Sequence, residues 1–249
     1  MKFFATTTKG LEEVLAEELT RLGVREVVPG NGGVNFIGSL RDGYRACLWL
    51  RTANRVLQPI ASFPCPSQEA LYEGVYALSW NELLTPSMTL AVSAKLRDSE
   101  ITHSHFAALK TKDAIVDKIR DKCGERPNVD SKNPDLRVNL HLARNHCTVS
   151  LDLAGAGLHR RGYRRDPTIA PLKETLAAGL VVELPGGRIG RDGRVDENDL
   201  AILLARIGFG DIGPPLAQRL HFRARQDDAD FDVVDDLVVA PRLPVLGDR

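Results

Sequence analysis

The chain has 249 residues, 43% of them hydrophobic, with 33 basic and 33 acidic side chains that balance to a formal charge of zero. That content is enough for a packed core and excludes a disordered, collagenous or disulfide-stapled chain. No apolar run approaches the roughly 18 residues of a membrane span, and the apolar stretch at Met1 to Gly10 is too short for a signal peptide.

Phe3 to Thr7 reads as a strand. Lys9 to Leu22 reads as a helix, with Leu11, Leu15, Leu19 and Leu22 on one face and Gly23 as its stop. Gly32-Gly33 precedes a strand, Val34 to Ile37, and Leu40 to Leu50 is a second helix with Tyr44, Cys47 and Leu48 expected inward. Val56 to Phe63 is a strand in which Pro59 calls for an edge or a bulge. Pro64-Cys65-Pro66 is a rigid break and a candidate domain boundary. The first sixty residues thus read as a small α+β domain.

Ser67 to Leu78 is a third helix, striped by Leu71, Val75 and Leu78, and Leu90 to Lys95 a strand. His105 to Lys122 is the clearest helix, with Phe106, Ala108, Leu109, Ile115, Val116 and Ile119 on one half. Lys110, Lys118 and Lys122 fall on the other half, and Lys112 projects within the apolar arc. Arg126 to Asp135 reads as a polar loop. Leu136 to His141 and Cys147 to Leu153 alternate about Ala143-Arg144-Asn145 and form a hairpin. Pro171 to Val182 is a helical run through Leu172, Leu176, Ala177 and Leu180. Beyond Lys173 there is no lysine, and Leu200 to Ile207 and Val233 to Val239 read as short helices in an acidic tail.

Catalytic signatures are missing. The sequence holds no G-x-S-x-G, no P-loop and no C-x-x-C pair; Gly186-Gly187-Arg188-Ile189-Gly190 lacks dinucleotide-loop spacing. The four cysteines (Cys47, Cys65, Cys123, Cys147) lie far apart and are expected as free thiols in the cytoplasm. His103 and His105 read as exposed loop histidines. No catalytic, cofactor-binding or metal-ligating residue is therefore assigned.

Charge is unevenly spread. Residues 1–90 carry net −1, residues 91–180 net +5 and residues 181–249 net −4. RNA recognition needs cations for phosphates, donors for 2′-hydroxyls and, often, aromatic rings. The candidates are Lys110, Lys112, Lys118 and Lys122, then Arg126, Asn128 and Arg137, then Arg160, Arg161, Arg164 and Arg165 around Tyr163. From these features alone an RNA-binding face and a solvated helix face, its lysines offset by Asp113 and Asp121 three residues on, remain equal readings.

Several ordered blocks favour the first. They are Phe4-Ala5-Thr6-Thr7 with Lys9-Gly10-Leu11-Glu12-Glu13, Leu48-Trp49-Leu50-Arg51-Thr52-Ala53, Ala108-Leu109-Lys110 with Lys112-Asp113-Ala114-Ile115-Val116-Asp117, Arg126-Pro127-Asn128-Val129-Asp130, Pro134-Asp135-Leu136-Arg137-Val138-Asn139, Arg161-Gly162-Tyr163-Arg164, and Ala170-Pro171-Leu172-Lys173-Glu174-Thr175-Leu176. Over roughly residues 2–181 the chain resembles the N-terminal half of the bacterial 23S rRNA guanine-N2 methyltransferases that carry a THUMP domain. The resemblance implies an α+β chain: a ferredoxin-like domain at 1–63, a THUMP RNA-binding domain at 64–158, and a linker with the start of a truncated methylase domain at 159–182. An atypical acidic tail follows at 183–249. It implies structured large-subunit rRNA as partner, not DNA or membrane, and S-adenosylmethionine as the cofactor of the full-length family.

The sequence departs from that family after Leu180. The D-P-x-C-G-S-G-T cofactor loop and the N-P-P-Y type motif are absent, so this chain is not expected to hold the cofactor. Methyl transfer is the alternative function, with a catalytic domain supplied elsewhere. In the tail, Asp192 to Leu200 resembles half of a dockerin-type calcium loop, but Arg188 and Gly190 stand where carboxylates are needed. A calcium-dependent interaction through the tail is a further alternative.

Overall fold

The structure is a computed structural model that describes residues 1–160 and 173–183. The expectations for Arg161 to Leu172 and for 184–249 lie outside the described residues. The chain divides into two compact units. The first comprises residues 3–56 with the described residues from 156 onward, and the second comprises 57–155.

The first unit runs β1 (Lys2–Thr6), α1 (Glu12–Arg21), β2 (Arg25–Gly30), β3 (Gly33–Ile37), α2 (Leu40–Trp49) and the start of β4 (Arg55–Pro64). The strand order β2-β3-β1-β4 is that of a ferredoxin-like βαββαβ fold. β2 is missing from the sequence reading. It is an edge strand without in-out alternation, and its pairing with β3 is bulged between Arg25 and Val28 beside Glu26, whose φ is +50°. Leu11, Leu15 and Leu19 of the α1 segment are fully buried, and Phe3 stacks on Phe36 at 5.1 Å. Gly23, at φ +73°, ends the helix as expected.

α2 corrects the sequence reading. Its buried positions are Gly43 and Ala46, while Tyr44 and Leu48 are exposed and Cys47 is only half-buried. The contact face is made of small residues, which give a weak hydrophobic signal. The Ser39 hydroxyl accepts from Asp42 N and the Asp42 carboxylate accepts from Ser39 N, a reciprocal cap that holds this carboxyl below its usual range.

A buried carboxylate braces this unit. Glu18 accepts from the Thr52 hydroxyl at 2.7 Å, from Thr52 N and Arg51 N at 3.1 Å, and from Arg51 Nε at 3.3 Å. The last described helix, α5 (Glu174–Glu183), belongs to the same unit. Thr175, Leu176 and Ala177 are buried there, and the Thr175 hydroxyl donates to Asn54 Oδ1 at 2.9 Å. Gly179 lies so close to Leu11 that a Cβ would meet its methyls at 2.6 Å.

The second unit adds α3 (Gln68–Tyr76), a 3₁₀ turn (Trp80–Glu82), β5 (Thr89–Arg97), α4 (Ser104–Cys123), β6 (Asn128–Val129), β7 (Leu136–Ala143) and β8 (His146–Asp152). Its strand order is β4-β8-β7-β5-β6. β5 and β7 are parallel, and β7 and β8 form the expected hairpin with Arg144 and Asn145 at φ +50° and +57°. The proline-associated irregularity of β4 is a bulge between Pro59 and Ala61. One core fills this unit, built on Leu71, Val75, Trp80, Ile115, Ile119 and the inward residues of β5, β7 and β8. The Trp80 ring nitrogen donates to Val75 O at 2.7 Å, so the indole is buried without an orphan donor. Gly74 passes so near Phe63 that a Cβ would meet its ring at 2.3 Å.

Candidate nucleic-acid interface

α4 buries Ala107, Thr111, Ala114, Ile115, Val116 and Ile119, the i, i+4, i+7 stripe that meets the second unit's core. Phe106 and Leu109, expected inward, are exposed at 38% and 44%. The buried arc is rotated toward smaller residues than those the sequence reading weighed.

The outer side of α4 carries the expected lysines, with partners that differ from the expectation. Lys110 Nζ lies over the Tyr72 ring, 5.3 Å from its centroid, and Lys118 Nζ over the Tyr76 ring at 4.7 Å. The two rings stack at 5.9 Å. Tyr72 donates to Asp117 Oδ2 and Tyr76 to Asp121 Oδ2, each at 2.8 Å. Arg120 bridges the two carboxylates at 2.9 and 3.5 Å. The hydrogen bond to Asp117 pushes the Tyr72 phenol up to about 12, and Asp121 raises that of Tyr76. Lys112 pairs with Asp113. The result is an ordered face of alternating sign in which the Lys110 and Lys118 ammonium groups lie over rings rather than pairing with carboxylates three residues on.

Beyond the helix the cations are freer. Gly124, at φ +79°, ends α4 just after Lys122, and Arg126 and Asn128 follow; all three side chains are exposed. Asn128 begins β6, a short strand inside what reads from sequence as loop. Asp130 Oδ1 accepts from Lys132 N and Asn133 N and so turns the chain. Asp135 accepts from Thr89 N and its hydroxyl at 2.8 Å, which ties the loop's end to β5 and keeps that carboxyl below its usual range. Arg137 Nη2 donates to the carbonyls of Ser131 and Lys132 at 3.4 Å, so this guanidinium shapes the loop.

The candidates thus fall into groups. Lys110 and Lys112 lie in the first half of α4, roughly 18 and 15 Å along the axis from Lys122 at 1.5 Å per residue. Lys118 and Lys122 lie in the second half of α4 and Arg126 and Asn128 in the residues after it, whereas Arg137 is the second residue of β7, in the outward register of Asn139 and His141. Arg160 is exposed and belongs to the first unit. Arg161, Tyr163, Arg164 and Arg165 lie outside the described residues. The sequence reading passes over Lys95, Arg97 and His141, which stand on the sheet face opposite the helices; the strict alternation of Leu136 to Ala143 was the available signal.

Nothing among the described residues resembles a catalytic or metal centre. No group of three His, Cys, Asp or Glu could hold a metal ion. Burial raises the Cys65 thiol and pushes that of Cys147 up to about 12, so both are inert core thiols. His103 and His105 are exposed.

Two family models match. Residues 2–57 match the RlmL ferredoxin-like domain, and residues 66–152 match the THUMP domain. The chain joins an RlmL ferredoxin-like domain to a THUMP domain. In this frame α4, its following loop and the β7–β8 hairpin all belong to the THUMP domain. The chain is 50% identical over 193 residues to "Ribosomal RNA large subunit methyltransferase K/L" of Syntrophotalea carbinolica, which covers 78% of this chain and 27% of that protein. It is likewise 50% identical over 188 residues to the protein of that name from Stutzerimonas stutzeri, covering 76% and 26%. The chain therefore spans about a quarter of the length of the curated relatives it matches. Among solved structures, a Listeria monocytogenes protein described as a predicted N6-adenine-specific DNA methylase superposes with a TM-score of 0.65 at 32% identity, over 74% of this chain and 48% of that one. TrmN from Thermus thermophilus shares the fold, with a TM-score of 0.55 at 24% identity over 74% and 55% of the two chains.

Proposed function

We propose that this chain is an RNA-binding module, the substrate-holding part of an S-adenosylmethionine-dependent rRNA guanine-N2 methyltransferase. Its partner is structured RNA of the large ribosomal subunit, met in the cytoplasm. The observation that carries the reading is the THUMP domain at 66–152 in a chain half identical to large-subunit rRNA methyltransferases. The free cysteines and the lack, among described residues, of a helix able to cross a membrane are consistent with it. We divide the chain at 63/64 and 158/159, close to where the family matches break off and to where the compact units change.

Phosphate contacts are assigned to Lys110, Lys112, Lys118, Lys122, Arg126 and Arg137, with Asn128 as a donor to sugar or base. Arg160, Arg161, Tyr163, Arg164 and Arg165 complete the set. Tyrosine rings under Lys110 and Lys118 hold two ammonium groups in place, so less side-chain entropy is lost when a phosphate binds. The relatives' methyl transfer is assigned to parts of those proteins that this chain does not match. The test is fluorescence anisotropy of the purified chain with a structured rRNA fragment across a salt series. Lys110→Ala/Lys118→Ala/Arg126→Ala should reduce the log–log salt slope by roughly 0.7–0.9 per lost contact. A triple variant with the parent's affinity and slope would show that these residues do not face RNA.

A further inference from the structure

We propose that the sheet face of the THUMP domain opposite α3 and α4 is itself an RNA surface, one that grips the sugar-phosphate backbone and distinguishes RNA from DNA. This rests on the RNA-binding reading above and adds a second contact region to it.

The strand registers place side chains on this face in rows. Ser93 of β5 stands beside Asn139 of β7, and this row stops there at the surface because Ser150 of β8, next in register, is buried. Lys95 stands beside His141, then Thr148, then Ser62 of β4. Arg97 stands beside Ala143 and then His146. The intervening residues of the same strands, Leu90, Val92, Ala94 and Leu96 on β5 and Val138, Leu140 and Leu142 on β7, point into the core. Alternation therefore sends the polar residues to the face that no described helix covers.

Sign and chemistry set this face apart from an ordinary solvated sheet, where both charges mix. The three rows contain two strong cations and two histidines and no carboxylate. Asp98, just beyond the last row, pairs with Arg97 at 3.4 Å across exposed side chains, an ion pair that phosphate can replace. Lys95 has no carboxylate partner among the described residues. Lys95 and Arg97 are two residues apart on one strand, so their Cα atoms are roughly 7 Å apart.

Between the cations runs a band of hydroxyl, amide and imidazole groups. The Asn139 amide nitrogen donates to Ser93 Oγ at 3.1 Å, a bond that does not use its carbonyl oxygen. Ser62 Oγ lies 2.8 Å from His146 Nε2 and 3.2 Å from Thr148 Oγ1. Groups that both donate and accept suit 2′-hydroxyls, which also do both. The rows hold no Phe, Tyr or Trp, and the two imidazoles are the only rings on which a base could stack, so the grip depends little on sequence.

The experiment uses the full chain and two labelled hairpins of one sequence, RNA and DNA, with anisotropy read across a potassium chloride series. The parent is expected to prefer the RNA. Lys95→Gln/Arg97→Gln should lower the salt slope for RNA by roughly 1.4–1.8, Lys95→Gln/Arg97→Lys, which keeps one of the two charges, should lose only half as much, and Asn139→Ala should narrow the RNA-over-DNA preference. All three positions lie at the surface, and an unchanged melting curve verifies each fold. A parent that binds no RNA overturns this proposal together with the functional reading. A parent that binds, with a folded double variant of unchanged affinity and slope, overturns this proposal alone and marks the face as a protein-facing surface or plain solvent boundary.

Discussion

Tyr72→Phe removes one oxygen from the ladder between α3 and α4 and leaves the ring under Lys110 in place. The lost bond joins a phenol to the Asp117 carboxylate at 2.8 Å. Hydrogen bonds to charged groups contribute about 1.5–3 kcal/mol, and a half-buried pair such as this one belongs at the lower end. A loss of about 1.5 kcal/mol corresponds to a shift of roughly 0.5–1.5 M in the urea midpoint, given slopes of about 1–3 kcal/mol per molar. Fluorescence of Trp80, buried in the same unit, reports the transition, while the exposed Trp49 contributes little change.

The same bond has a pH signature. In the folded chain the Tyr72 phenol keeps its proton up to about 12, against the ordinary tyrosine value of 10.0. Its stabilising share is therefore whole below pH 10, falls as pH rises, and is gone above about 12. The parent's urea midpoint should drop across that window and the variant's should drop less, with Tyr76 supplying what remains through its own bond to Asp121. A variant as stable as the parent at pH 7, or one with the same alkaline decline, would refute the reasoning. RNA binding should be unchanged in Tyr72→Phe and weakened in Tyr72→Leu, which removes the ring that positions Lys110.

Other outcomes follow from the first unit and from the sequence. Glu18→Leu strands the Thr52 hydroxyl and amide, both buried, and the Arg51 amide; thermal melting should show a loss of about 2–4 kcal/mol, and Glu18→Gln a smaller one. Gly179→Val drives a side chain into Leu11 and should lower stability by about 1–3 kcal/mol. A chain ending at Pro185 should melt like the full protein, whereas one ending at Arg160, lacking α5 and the cover it gives Leu11, should melt lower; equal melting of both would show that α5 contributes nothing to the fold. Calorimetry with S-adenosylmethionine should detect no stoichiometric site, and a micromolar one would contradict the missing cofactor loop.

What the sequence determined by itself is what nearest neighbours dictate. Leu11, Leu15 and Leu19 at helical spacing, Gly23 taking left-handed φ, Arg144-Asn145 between alternating strands and Pro59 at a bulge are settled within a few residues of themselves. Ordered blocks from Phe4 to Thr175 named the two domains, although they left the RNA contacts unassigned in space. Tertiary structure alone decided the rest, because it depends on partners far along the chain. β2 is a strand only because β3 pairs with it. The buried side of α2 is Gly43 and Ala46, a pair too small to stand out in a hydrophobic pattern. Glu18 meets Thr52 across 34 residues, and Lys110 and Lys118 rest on rings from another helix rather than on nearby carboxylates. Lys95 joins His141 in one row because parallel pairing of β5 with β7 brings together residues 46 positions apart, a register no local pattern specifies.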